Sequence, residues 1–100
     1  MKAADWIEHL NLRRHPEGGY YREIFRTEKM VDGNKPAMTS IYYLLENNEI
    51  SAFHRLSSPE VWYYHAGYPL MLYVIHPDGR LVTHLMNTDI SGEQQVAIEP

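Results

Sequence analysis

The chain has 100 residues, of which 44% are hydrophobic and 22% are charged, a composition typical of one ordinary globular domain. It contains no Cys, which excludes thiolate catalysis, Cys-based zinc sites and disulfide bonds. Its net charge is -4 and its Lys and Arg residues are scattered, so it lacks the basic patch of a nucleic-acid-binding protein. Its longest apolar run is also far too short to span a membrane. We therefore expect a cytoplasmic protein that binds neither nucleic acid nor membranes.

The amino-terminal segment Ala3 to Leu12 predicts a short amphipathic helix, because Trp6, Ile7 and Leu10 form a narrow apolar stripe. The next segment, residues 15–20, reads His-Pro-Glu-Gly-Gly-Tyr. Proline disfavours helical geometry for the residue before it, and two glycines permit positive φ angles. The sequence therefore predicts that the helix ends before a sharp turn.

Seven short strands are predicted after this turn, because β-branched and aromatic residues alternate with polar ones between turn signals. They are Tyr20–Thr27, Ser40–Leu45, Ile50–Leu56, Val61–His65, Leu70–His76, Arg80–Met86 and Gln94–Ile98. Mobile or irregular loops are expected at residues 28–36 and 87–92. The strand from Leu70 is apolar at nearly every position, which predicts burial on both faces. This pattern indicates an all-β sandwich or barrel with one leading helix, built as a single domain over residues 1–100.

The segment from residue 53 to 67, FHRLSSPEVWYYHAG, contains the residues that suggest a functional site. His54 lies ahead of a Ser-Ser-Pro turn, and Glu60 and Gly67 follow at spacings that resemble the first cupin motif, in which ligand side chains from neighbouring strands converge. The second His of that motif is replaced by Leu56, so we expect no tightly bound transition metal. Strand pleating places Trp62 and Tyr64 on the same face as Glu60.

Each candidate residue has an alternative interpretation. His54 could be a core histidine bonded to a backbone carbonyl, and Glu60 could be a solvated turn residue. The eight Tyr fall mostly in neighbouring pairs, so that one member faces inward. They could form the core and a dimer interface. Alternatively, the inward-facing ones, Tyr43 among them, could line a pocket for a sugar or a planar heterocycle. Arg22 and Glu23 could be a buried or pocket-edge pair, or a surface pair.

The runs HPEGGYYREIFRT, SIYYLL, SAFHRLSSPEVWYYHAG and HPDGR occur in this order and together resemble the cupin family whose members are labelled predicted sugar epimerases. The resemblance covers nearly the whole chain. It implies a cupin jelly roll (a double-stranded β-helix), similar to the fold of the dTDP-sugar epimerases, and a homodimer. Cupins have a second motif that opens with a Pro-x-Gly turn, and Pro100 resembles its first residue. We therefore expect a jelly roll that is incomplete at the carboxy terminus.

Two functions follow from this resemblance as expectations. The first is a metal-independent and cofactor-independent epimerase or isomerase acting on a sugar or nucleotide sugar, with His54 as the base and Glu60 orienting it or sharing the proton. The second is a cupin that binds a sugar-like molecule without turnover, or a fragment without activity. In both cases, the expected ligand-binding residues are Trp62, Tyr64, Tyr43, Glu23 and Arg22. The sequence does not separate the two, because a fold does not determine a function.

Overall fold

The computed structural model describes residues 2–31 and 33–100, which form one short helix and nine strands. Helix α1 spans Ala3–His9. The strands are β1 (Arg13–Arg14), β2 (Tyr20–Arg26), β3 (Met30–Val31), β4 (Lys35–Pro36), β5 (Thr39–Leu44), β6 (Glu60–Tyr63), β7 (Leu70–Ile75), β8 (Leu81–Met86) and β9 (Gln95–Ile98). The expectation of a mostly β chain with one leading helix is confirmed. In the described part of the chain, no helix has the length and apolar character needed to cross a membrane.

Helix α1 ends earlier than the apolar stripe predicts, at His9 instead of Leu12. The reason is that Asn11 adopts the left-handed conformation, with φ of 54°. The Asn11 N–H donates to the Glu8 carbonyl, and the Leu12 N–H donates to the Ile7 carbonyl at 2.9 Å. These two bonds form a Schellman motif, which satisfies the last carbonyls of a helix and redirects the chain.

The described residues form two compact units, one ending at Phe53 and one beginning at His54. The expectation of a single domain over residues 1–100 stays a prediction. In the first unit, β1, β2 and β5 form an antiparallel sheet in the order β1-β2-β5. A bulge in β2 falls between Glu23 and Phe25, so that both Glu23 and Arg26 lie on one face of the sheet and form an ion pair at 2.9 Å.

The second unit contains two antiparallel pairs, β6 with β9 and β7 with β8. Its buried apolar residues are Val74, Met86 and Val96, each less than a tenth exposed. The register places Trp62 opposite Val96 and Glu60 opposite Ile98. The site residues of β6 therefore lie on the same face of their sheet as a buried apolar side chain.

Two predictions about strands are wrong. Residues 50–56 form no strand, and a backbone bond from the Ala52 N–H to the Glu17 carbonyl, at 2.9 Å, helps to hold this segment. Residues 50–56 therefore have the alternating pattern of a strand but no neighbouring strand to pair with. The expected loop at residues 28–36 instead contains the β3–β4 pair, in which Met30 lies opposite Pro36. One residue of that expected loop, Asp32, lies outside the described part of the chain.

The prediction that the strand from Leu70 is buried on both faces is also wrong. Burial alternates along β7, and Met71, Tyr73 and Ile75 are about half exposed. Because β7 pairs with β8 in register, these side chains lie beside Leu81 and Leu85 on one exposed face. The composition of a strand does not reveal whether a second layer covers each of its faces.

Candidate functional site

The best-defined part of the predicted site is a contact between Glu60 and Trp62 on β6. Both side chains are half-buried and lie on one face of the strand, as the pleat parity predicts. The indole N–H of Trp62 donates to Glu60 Oε1 at 3.1 Å. Glu60 is thus a partly desolvated carboxylate held beside an aromatic ring, and this contact excludes the interpretation of Glu60 as a freely solvated turn residue.

His54 occupies a different environment from the one expected. It is solvent-exposed and belongs to the irregular segment before β6, so it does not reach Glu60 from a neighbouring strand. The alternative of a buried core histidine does not apply either, because the side chain is exposed. The role of His54 as a base, and its meeting with Glu60, stay predictions.

Tyr64 follows β6 and uses its hydroxyl within the turn that leads to β7. The hydroxyl lies within hydrogen-bonding distance of two carbonyls, those of Gly67 and Tyr68. Burial raises the pKa of the Tyr64 phenol above its ordinary value, because desolvation disfavours the phenolate. The ring is half-buried, so Tyr64 fastens the turn while its role in ligand binding stays a prediction.

The Tyr64 phenol gives a stability prediction. A phenol whose folded-state pKa is raised contributes stability that is fully present below the unfolded value of 10.0 and is lost as pH rises through the folded value. We expect Tyr64→Phe to lower the free energy of unfolding by about 1 kcal/mol at neutral pH and to flatten its decline above pH 10.0. Urea unfolding at several pH values measures both effects. Tyr68→Phe is the control, since that side chain is 83% exposed, and an equal effect of both changes would contradict the assignment.

Tyr43 lies in the first unit, within a small aromatic cluster. Its hydroxyl donates to the Gly18 carbonyl, and its ring meets His15 edge-on at 5.2 Å. The His15 ring also meets Tyr21 edge-on at 4.8 Å, and His15 Nδ1 accepts from the Glu17 N–H at 2.9 Å. These contacts stabilise the turn at residues 15–19. These two contacts of Tyr43 are therefore structural, and its ligand-binding role stays a prediction.

Arg22 and Glu23 line a cleft of about 310 Å³ in the first unit, together with Asn11, Arg13 and Tyr21. Arg22 Nη1 donates to the Leu10 carbonyl at 3.2 Å, so its guanidinium is anchored to the end of the helix segment. Both residues thus lie at the edge of a cleft, but they do not form the expected pair with each other, since the Glu23 carboxylate bonds to Arg26.

Sequence reasoning missed a further pair, His84 and Glu93. His84 Nδ1 lies 2.7 Å from Glu93 Oε2, and the imidazole is only 23% exposed. The motif search passed over His84 because no other ligand lies near it in sequence, while its partner comes from the loop that precedes β9. Within residues 2–31 and 33–100, no three His, Asp or Glu side chains come together in a way that could hold a metal ion.

Two solved structures resemble the chain closely. A Shewanella oneidensis protein, solved by X-ray crystallography, superposes with a TM-score of 0.92 at 40% sequence identity, and the match covers 99% of this chain and 64% of that one. A hypothetical protein from Leishmania major gives a TM-score of 0.90 at 35% identity, covering 99% of this chain and 65% of that one. The chain thus spans slightly less than two thirds of the length of either relative.

The family comparison agrees with the resemblance seen in the sequence. No curated protein matches the chain. The family described as "Cupin superfamily (DUF985)" matches residues 4–99. The mostly antiparallel strands, the single leading helix and the incomplete sheets fit the jelly roll that this family implies. The chain therefore belongs to the cupin superfamily, in the family designated DUF985.

Proposed function

We propose that this chain binds a sugar-like small molecule through the face of β6 that carries Glu60 and Trp62. The observation that carries the proposal is the 3.1 Å bond from the Trp62 indole N–H to the half-buried Glu60 carboxylate. A fixed carboxylate accepts hydrogen bonds from hydroxyl groups, and a flat ring beside it packs against the apolar face of a sugar. We propose that the chain acts in the cytoplasm and needs no cofactor or metal.

We further propose epimerisation as the chemistry of this site. A neutral His54 takes the proton from the carbon next to a carbonyl, and the electron pair of that C–H bond moves into an enolate. Water delivers a proton to the opposite face, and the hydroxide that remains takes the proton held by His54, so the epimer forms and no net oxidation occurs. Glu60 orients the base or shares its proton. In this scheme Trp62 and Tyr64 pack against the ligand and exclude water from the enolate.

Binding without turnover is the alternative, and the exposure of His54 favours it. An exposed imidazole lies in contact with water, so it gains little from the dry environment that strengthens catalytic groups. The two functions differ in one measurable property. Only an enzyme increases the rate at which the proton next to the carbonyl exchanges with solvent.

Glu60→Gln tests the binding part of the proposal. It keeps the shape of the side chain, removes the charge and replaces one acceptor oxygen with a donor, so we expect the affinity for dTDP-glucose to fall about tenfold. Isothermal titration calorimetry measures the loss. Glu28→Gln is the matched control, since it removes an exposed carboxylate of the first unit. Wild-type protein that takes up no heat with dTDP-glucose, or equal losses in both variants, would reject the site.

Deuterium exchange decides between the two functions. A nucleotide-linked keto sugar in D2O loses the proton signal beside its carbonyl faster than in a protein-free sample only if the protein abstracts that proton. We expect exchange with the wild type and its loss in His54→Gln, with dTDP-glucose affinity unchanged. Binding without any exchange would leave the non-catalytic function as the correct one.

We also propose that the chain works as a homodimer, through an apolar face on the β7–β8 pair. This face carries Met71, Tyr73 and Ile75 on β7 and Leu81, Thr83 and Leu85 on β8, and none of the six is charged. Its five apolar members are between 41% and 58% exposed. Contiguous exposed apolar patches on soluble proteins mark interaction sites. A second copy fits best because an uncharged face offers no electrostatic selection for a different protein.

A further inference from the structure

The cleft in the first unit differs in character from the Glu60–Trp62 face. It is lined by Asn11, Arg13, Tyr21, Arg22 and Glu23, so every residue around it carries a polar group. Its volume of about 310 Å³ is at the lower end of the range for small-molecule pockets. The cleft is therefore large enough for a small metabolite and offers it hydrogen bonds more than apolar contact.

The arginines of the β1-β2-β5 sheet differ in whether an acidic or aromatic side chain contacts their guanidinium groups. Arg14 bonds to Glu49 at 3.2 Å and lies over the Tyr20 ring, and Arg26 bonds to Glu23 at 2.9 Å. Arg13 precedes Arg14 on β1. Among residues 2–31 and 33–100, its guanidinium has no hydrogen bond, ion pair or ring contact. The charge and all the N–H donors of Arg13 are thus left for a ligand.

The remaining lining residues make the cleft positive. Among the described residues that line the cleft, Glu23 is the single acid, and its carboxylate is neutralised by Arg26. Arg22 uses one N–H on the Leu10 carbonyl, which holds the guanidinium in place and leaves further donors of its planar fork. The register puts Arg13 directly opposite Tyr21 on neighbouring strands, which brings a phenol beside the free guanidinium.

We propose that this cleft binds the oxyanion of a small molecule, a phosphate ester or a carboxylate, with Arg13 as the main contact. Guanidinium groups pair with such oxyanions through two parallel N–H bonds, and fixed neighbouring donors add specificity. Arg22 and the Asn11 amide supply those donors. The site lies within the first unit, so it does not rest on the proposed sugar function of the second.

The test is a heteronuclear NMR titration of the full chain at low ionic strength, with four probes. These are inorganic phosphate, glucose phosphate, gluconate and neutral glucose. We expect the phosphates to shift the amide signals of Asn11 and Arg13, and the affinity to fall as KCl is added, because salt screens exposed charges. A similar response to gluconate identifies a general oxyanion site, whereas a response to the phosphates alone identifies a phosphate site.

Arg13→Gln is the decisive variant, and we expect it to weaken glucose phosphate binding about tenfold. Arg13→Lys keeps the charge but not the planar set of N–H donors, so its affinity for glucose phosphate should lie between those of Arg13→Gln and the wild type. Arg80→Gln is the control, since it removes an exposed arginine of the second unit. Absence of shifts at millimolar phosphate, shifts that lie outside the cleft, or an equal loss with Arg80→Gln would overturn the proposal. Dispersed amide spectra of each variant establish that it is folded.

Discussion

Replacing Gly18 with Ala is expected to lower the free energy of unfolding by on the order of 3 kcal/mol, a large share of the stability of so small a domain. Gly18 has φ of 108°, a backbone conformation that L-residues rarely adopt. A Cβ atom there would lie 2.2 Å from the Ile50 carbonyl oxygen. Because that neighbour is backbone and not a flexible side chain, the turn or the segment at Ile50 must move. Urea unfolding measures the change.

Gly79→Ala separates the two causes of this loss. Gly79 has φ of 88°, so the substitution carries a similar backbone cost, but a Cβ there would meet no heavy atom within 4 Å. We expect it to cost about 1 kcal/mol. The difference between the two variants is then the cost of the clash at Gly18. Equal losses would show that the turn at residues 15–19 does not pack against Ile50 as described.

This turn illustrates what the sequence could and could not predict. The pair Gly18-Gly19 after His15-Pro16 predicts a sharp turn, because the requirement for positive φ is local. The reason why the turn tolerates no side chain is not local. It depends on the carbonyl of Ile50, in a segment that the alternation of residues predicted to be a strand and that has no ladder partner in the structure.

The candidate site divides in the same way. The position of Trp62 on the same face as Glu60 follows from pleat parity within one strand, so the spacing of the two residues was enough to predict it. The hydrogen bond between them was not predicted. His84 and Arg13 were passed over, because each owes its interest to distant residues. His84 meets Glu93 across a loop, and Arg13 stands out only once Arg14 and Arg26 are seen to be paired.

Placing a charge on the apolar β7–β8 face is expected to separate the proposed homodimer. Leu85 is 41% exposed and lies opposite Met71 on the apolar face of the β7–β8 pair, so Leu85→Glu would place a carboxylate inside the interface. A buried charge without a partner costs roughly 3 kcal/mol or more, which weakens association about a hundredfold. The same side chain is exposed enough in the single chain that unfolding should change little. Sedimentation equilibrium over a dilution series measures the association.

Ile90→Glu is the matched control for this experiment. Ile90 is 97% exposed in the loop between β8 and β9, so the same chemical change falls outside the face. A standard interface buries about 800 Å² on each partner, more than a patch of six strand residues supplies. The face would therefore form the centre of a larger contact, in which one charge has its greatest effect. Equal weakening by both variants, or a folded wild-type monomer at micromolar concentration, would reject the dimer.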